Sequence, residues 1–300
     1  MKRQLCVFHF KNVHFGNGTL ESSAETFSAS RLFSALFLEA LKLGKQADFL
    51  KVAQSADFVL SDAFPMIDGV PFLPKPIGYP KFEKQNFTDL KKVRRTAKTS
   101  KKLAFIPFDE MTDYLKQTAD LADLVKLQNS FFNLSYLTKK GQDPYQVGIV
   151  SFKQPLYCIT SQNDLLNELL ESLQYSGLGG KRTSGYGSFE LRIKALPKEL
   201  EEHLSDHNTN TLWMSLTTSL PQVDEMKKSL TDENYLLTRE GGFAYSEQTG
   251  SPLRKQDMYK FKAGSTFTHR YSGQIFDIRP QDFPHPVWNF SKSLFYSLEV

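Results

Sequence analysis

The chain has 300 residues, 40% hydrophobic and 23% charged, with 25 Phe and a net charge of +4. That balance excludes a disordered chain and gives room for two domains, each with its own core. So small a net charge also excludes arguing for a polyanion partner from total charge; such a partner has to be read from where the charges sit.

Two cysteines, Cys6 and Cys158, both in apolar runs, make neither a disulfide framework nor a four-ligand zinc site and fit a reducing, cytoplasmic setting. No apolar run approaches the ~18 residues of a membrane span, and the N-terminus enters a strand pattern at once, so a soluble, unexported protein without membrane contact is expected.

Residues 4–10, QLCVFHF, predict a strand covered on both faces, with His9 packed in the core. A polar glycine-bearing loop follows. Leu32, Phe33, Leu36, Phe37, Ala40 and Leu41 then recur at helical spacing, with Ser28 or Ser30 as cap and Gly44 as stop. The run 57–76 predicts two short strands turning at Asp68-Gly69. Residues 81–102 interrupt the apolar pattern with nine basic residues against the acids Glu83 and Asp89, with Arg94 and Arg95 at the centre. A single helix is expected over 109–128, a turn region near 138–146, and one strand over 147–160. A leucine-rich helix follows, with Ser161 and Asp164 spaced as a capping box, and a half-buried strand starts at Phe189. Residues 196–210 are polar and aperiodic, which places a domain boundary there. The rest is mostly β in pattern. The sequence therefore predicts an α+β chain: 1–195 as βαββαβ, ferredoxin-like, with a basic insertion at 81–102, and 196–300 as a second, β-rich unit.

The segment GLGGKRTSGYG, Gly177–Gly187, joins a helix to a strand. It fails the Walker A pattern, because Lys181 is followed by Arg182 and no helix opens after it, and it fails G-x-G-x-x-G in every register. Glycines admit close approach of N–H groups to an anion, and Lys181 and Arg182 add charge-assisted bonds. Thr183 and Ser184 can donate to phosphate oxygens and Tyr186 can stack on a base. Such a set suits a bent nucleic-acid backbone; a solvated glycine-rich turn is the other reading.

The same segment resembles the glycine-rich loop of the RAMP superfamily of CRISPR proteins, roughly G-x-G-G-x-[KR]-x-x-G-x-G between a helix and a strand. VHFGNG with TFSASRLFSALFLEA near the N-terminus, and GQIFDI with HPVW near the C-terminus, resemble the fourth-subunit family of the type III-A effector, the Csm complex. The resemblance implies two ferredoxin-like, RRM-related domains and a loop that contacts guide RNA. It further implies a subunit that holds the repeat-derived 5′ tag of the CRISPR RNA and bridges the large polymerase-domain subunit to the backbone of repeated RAMP subunits. Carried over by residue, Gly179, Gly180, Lys181, Arg182, Ser184, Gly185 and Gly187 fall in the RNA-contacting loop, and His14 and Gly16 lie near the RNA path. An RRM-like surface that grips phosphates and stacks bases agrees in kind, and Arg94 and Arg95 offer a second grip.

Some RAMP relatives cleave RNA without a metal, which makes His14, beside a glycine at a strand end, the candidate general acid or base of an alternative endoribonuclease reading. Phosphate bonding or loop support is the preferred role for His14. His203 and His207 are four apart, but Leu204 stands where a zinc-protease motif needs glutamate. Asp109-Glu110 suits a helix start. The sequence thus predicts a non-enzymatic RNA-binding scaffold with no cofactor, no metal and no small-molecule substrate. A mainly protein-binding adaptor stands as a third reading.

Overall fold

The computed structural model describes residues 1–81, 98–139, 144–205, 211–231 and 233–299. Arg94 and Arg95 lie outside them.

Strand β1 (Arg3–Phe10) has both faces covered, because Cys6, Phe8 and Phe10 enter one core while Leu5 and Val7 enter another. It continues into β2 (Asn12–Val13). Helix α1 (Ala29–Lys42) starts at Ser28, whose hydroxyl accepts from the Arg31 N–H, and α2 (Gln46–Gln54) follows after Gly44. Strands β3 (Phe64–Ile67) and β4 (Val70–Pro74) meet at Asp68 and Gly69, at φ 51° and 86°, the paired positive values of a two-residue hairpin turn. Strand β5 (Phe105–Pro107) lies beside β4.

The single helix expected over 109–128 is instead two, α3 (Met111–Leu115) and α4 (Leu121–Gln128). Gln117 takes a left-handed φ of 62°, and the Asp120 carboxylate caps a fresh start by accepting the N–H groups of Ala122 and Asp123. Strand β6 (Phe132–Lys139), absent from the sequence reading, pairs with β7 (Tyr145–Phe152). The long strand expected over 147–160 breaks before β8 (Leu156–Ser161), where Pro155 has no N–H for a ladder. Helix α5 (Asp164–Ser176) is capped by Asn163, which accepts from the Leu166 N–H, rather than by Ser161, which is fully buried. Strand β9 (Phe189–Ala195) closes this half.

These strands make an antiparallel sheet of order β9-β1-β8-β3-β4-β5. Its first four members follow β-α-β-β-α-β connectivity in the spatial order 4-1-3-2. Leu32, Phe33, Leu36 and Ala40 of α1 and Leu166, Leu169, Leu170 and Leu173 of α5 cover one face. Cys6 and Cys158 sit opposite each other across β1 and β8 as free thiols, and burial pushes Cys6 up to about 11, which leaves it unreactive. His9 is half-buried opposite Glu190, not packed in the core as the sequence suggested; burial pulls its pKa down, and Arg192 adds to this.

The chain continues through α6 (Lys198–Ser205), β10 (Leu212–Ser215) and α7 (Val223–Ser229). Next come β11 (Leu237–Glu240), β12 (Phe243–Ala244), β13 (Leu253–Arg254), β14 (Met258–Phe261) and β15 (Thr266–Phe267). It ends with β16 (Ile275–Asp277), β17 (Trp288–Phe290) and β18 (Phe295–Leu298). Among the described residues these form one three-stranded sheet, β15-β10-β18, and the ribbons β11-β14, β12-β13 and β16-β17.

Leu212, Met214, Leu216, Tyr296 and Leu298 pack with Leu5, Val7, Tyr157 and Ile159, so the second half buries the face of the large sheet that the helices leave open. The seam is also polar. The Asp62 carboxylate accepts from the Ala29 N–H (2.8 Å), the Thr218 N–H (3.1 Å) and the Thr218 hydroxyl (2.6 Å). Glu240 accepts from Ser30 (2.7 Å), Asn289 (2.9 Å) and the fully buried Lys260 ammonium (3.0 Å). Burial by itself would raise the Glu240 pKa, but Lys260 and these donors hold it below the ordinary value. Removing one member leaves a buried charge uncompensated. Glu240→Gln should therefore lower stability by about 3 kcal/mol in urea unfolding, and adding Lys260→Met should recover most of it. A Glu240→Gln protein as stable as the parent would show that the buried ammonium needs no counter-charge.

Candidate nucleic-acid interface

Helix α5 ends at Gly177, φ 75°, and the glycine-rich segment doubles back before entering β9. One closing bond is internal and two reach the segment after β1. The Leu178 N–H donates to the Gly187 carbonyl (2.8 Å), the Gly187 N–H to Asn12 (3.0 Å) and the Gly180 N–H to His14 (2.8 Å). Between these anchors Arg182–Ser184 form one 3₁₀ turn, with Ser184 and Gly185 donating to Lys181 and Arg182 carbonyls at 2.9 Å.

Two glycines have no substitute here. A Cβ on Gly179, at φ 105°, would lie 2.8 Å from the His14 carbonyl oxygen, and one on Gly187, at φ 85°, would lie 2.3 Å from that of Leu178. Several N–H groups that the sequence offered to an anion are thus spent on fixing the loop. Gly187 is itself buried, and its part is closure rather than contact.

What the loop presents outward is its side chains. Arg182, Thr183 and Ser184 are exposed, and Tyr186 is half-buried. Lys181 holds a left-handed φ of 58°, and its ammonium sits 5.1 Å from the centre of the Tyr145 ring, a cation–π contact that aims it along the loop.

His14 is 4% exposed and its Nδ1 lies 2.8 Å from the Gly148 carbonyl oxygen. A carbonyl only accepts, so Nδ1 carries the proton; in the neutral ring Nε2 is then a lone-pair acceptor, able to take a hydrogen bond from a hydroxyl. His14, Gly16, Gly179, Gly180 and Arg182 line a cleft of about 380 Å³. The structure thereby brings together two segments far apart in sequence, the loop and the exit of β1.

Arg31, which the sequence reading missed, lines the same cleft and donates to the Gly16 carbonyl at 2.8 Å. Its signal was legible: a cation in the first turn of a helix stands against the macrodipole, so something other than helix stability holds it there. Tyr145 was also missed, because its strand neighbours had been read as a turn.

Pro80, just before the basic stretch, and Ser100 and Lys101, near its end, line a different cleft together with Lys75 and Lys262. His203 packs on the Tyr296 ring with Nδ1 at 3.0 Å from the Ser297 carbonyl, a structural role. Among the described residues no group of three or more His, Cys, Asp or Glu could hold a metal ion, and no helix is long and apolar enough to cross a membrane.

Known proteins share this layout. The family model described as the RAMP superfamily matches residues 12–190, and that of the CRISPR Csm4 C-terminal domain matches residues 208–298. The CRISPR system Cms protein Csm4 of Streptococcus thermophilus is 48% identical over 307 residues, with 100% of both chains covered. The Csm4 protein of Mycobacterium tuberculosis is 34% identical over 312 residues, covering 99% of this chain and 98% of that one. In fold, the chain is similar to one in the crystal structure of the Csm3-Csm4 subcomplex of the type III-A CRISPR-Cas interference complex. That match has a TM-score of 0.69 at 18% identity, covering 99% of this chain and 100% of that one. A chain of the Csm1-Csm4 cassette in complex with pppApA matches with a TM-score of 0.62 at 14% identity, over 99% and 98% of the two chains.

The loop geometry sets a graded expectation for stability. Gly185→Ala faces open space and carries only the cost of its positive φ, about 1 kcal/mol, a fall of roughly 2–4 °C in melting temperature. Gly187→Ala must displace the Leu178 carbonyl and should fall further in the same thermal melt. Equal melting temperatures would mean that the loop is not closed as described.

Proposed function

The chain belongs to the Csm4 family of the RAMP superfamily, and on that premise we propose that it is a non-catalytic RNA-binding subunit of a type III-A CRISPR interference complex. In this role it holds the 5′ tag of the CRISPR RNA and works in the cytoplasm. It bridges the large polymerase-domain subunit to the backbone RAMP subunits; the relatives of its fold in the Csm3-Csm4 subcomplex and the Csm1-Csm4 cassette support those two partners. Residues 1–195 and 196–300 serve as its two domains, both of RRM-related, ferredoxin-like descent, and the 4-1-3-2 strand order supports this for the first.

One observation carries the reading. Backbone hydrogen bonds tie the glycine-rich segment to the exit of β1, so that Arg182, His14, Gly16 and Arg31 line one cleft, with Lys181 next to Arg182 in the loop and its ammonium over the Tyr145 ring. Cations on a fixed backbone beside a ring acceptor match a ribose-phosphate backbone, whose phosphates take the cations and whose 2′-hydroxyl can donate to Nε2 of His14. Ser184 and Tyr186 extend it with a hydroxyl donor and a stacking face. Gly179, Gly180, Gly185 and Gly187 serve by shaping the loop, and Arg94 and Arg95 act as a second electrostatic grip.

His14 is read as a binding residue, since it is buried and its ring is fixed to Gly148. Isolation of the tagged protein from its host should enrich short CRISPR RNAs that share one repeat-derived 5′ end. An intact complex with no enriched RNA would remove the reading. With purified protein, Lys181→Ala with Arg182→Ala should reduce the salt slope of RNA binding by up to about two, and an unchanged slope would take the loop out of the interface. Repeat RNA should stay whole in EDTA; cleavage that His14→Ala abolishes would replace the scaffold with a nuclease.

A further inference from the structure

The cleft at the glycine-rich loop does not end there. Gly16 and Arg31, which line it, also line a second cleft of about 790 Å³ whose far wall comes from the β11-β14 and β12-β13 ribbons. That wall carries Arg239, Arg254, Lys255 and Phe243, so with Arg31 the second cleft holds four cations.

Its two acids do not cancel them. Glu240 accepts from Ser30, Lys260 and Asn289, and its single charge is shared among Lys260, Arg31 and Lys255. Among the described residues Asp257 is the one carboxylate paired with two arginines, at 2.6 Å from Arg254 and 3.9 Å from Arg239. Lys255 is half-buried, and its ammonium has no hydrogen-bond or ion-pair partner among the described residues; burial pulls its pKa down, and the charge of Glu240 offsets only part of that. A partly desolvated cation without an acceptor is a standing cost that an incoming anion relieves.

Phe243 adds a different chemistry. It lies just past Gly241 and Gly242, at the start of β12, and is 67% exposed, so no core accounts for it. Cations that hold phosphates beside an uncovered aromatic face are the two elements of a single-strand platform.

We propose that this second cleft is a further single-stranded RNA site, continuous with the glycine-loop cleft through Gly16 and Arg31, in which Arg239, Arg254 and Lys255 hold phosphates and Phe243 stacks a base. The proposal rests on the reading of the glycine-loop cleft as an RNA site. It adds that the C-terminal half reads the strand too, so the RNA crosses from one half of the chain to the other. Continuity with the first cleft and the excess of cations over acids favour RNA over a protein partner at this face.

The test uses the full-length chain and a nested series of single-stranded RNAs that start at the repeat-derived 5′ end and grow in length, each titrated over a range of salt. In the parent protein, lengthening the RNA beyond the first cleft raises affinity. Arg239→Ala with Lys255→Ala should abolish that gain and lower the salt slope by about two. Phe243→Ala should weaken binding of the longer RNAs roughly tenfold without changing the slope, and Phe243→Tyr, which keeps a stacking face, should retain the gain. Short RNAs should bind all four proteins equally, which also shows that the variants are folded. If the variants bind every length as tightly as the parent, the second site is overturned; if they do so and shed a partner subunit from the assembled complex, the face is a protein-docking surface instead. A parent that binds no RNA, or one indifferent to Lys181→Ala with Arg182→Ala, would sink the glycine-loop reading as well, so the two failures are separable.

Discussion

The register of β1 against β9, with Phe10 facing Phe189 and Gln4 facing Ala195, is the constraint on which the rest depends. Side chains alternate along a strand, so a slip of one residue would exchange the face carrying Cys6, Phe8 and Phe10 with the face carrying Leu5 and Val7. The first face meets α1 and α5, and the second meets β10 and β18 from the other half of the chain. Both cores would fail together. The same register fixes where β1 ends, hence where His14 stands relative to the loop that leads into β9. That is why Gly180 can donate to the His14 carbonyl and Gly187 to that of Asn12. The candidate site is thus a consequence of strand pairing.

Within that frame the glycine-rich segment divides its labour between backbone and side chains. Backbone groups of Leu178, Gly180, Gly185 and Gly187 bind to the fold, while Lys181, Arg182 and Ser184 have side chains free of those bonds. The arrangement differs from a phosphate-binding turn at a helix N-terminus, where free N–H groups and the dipole themselves hold the anion. Here charge comes from flexible side chains on a rigid base, which suits the proposed polymer of repeated phosphates better than one enclosed phosphate.

How much of this was legible before the structure depended on how local each signal is. The α1 periodicity, the Asp68-Gly69 turn and the helix–loop–strand setting of Gly177–Gly187 are set by neighbouring residues, and the structure has them all. Strand β6 carries an alternation, Phe132, Leu134 and Tyr136 against Asn133 and Ser135, but its apolar side chains are largely exposed; no core marks it, and it exists through its pairing with β7. The break in the 109–128 helix turned on one left-handed glutamine and one aspartate cap, which leucine spacing does not report. In the site, Lys181 and Arg182 announced themselves by motif, whereas Arg31 comes to Gly16 only through tertiary packing. Its unusual place in a helix's first turn was the trace it left in the sequence.

The buried charges at the seam connect these points. Glu240 takes hydrogen bonds from Ser30 at the start of α1 and from Lys260 on β14, so it fixes the β11-β14 ribbon against the helix that carries Arg31. Asp62 does the same from the other side, joining the Ala29 N–H to Thr218. A purely apolar seam would tolerate sliding, because hydrophobic contact is non-directional. Directed hydrogen bonds to buried carboxylates do not, since each lost partner leaves a desolvated charge. The polar seam therefore fixes the distance between the glycine-loop cleft and the ribbon cleft, and a strand of fixed phosphate spacing can be gripped across both only if that distance does not drift.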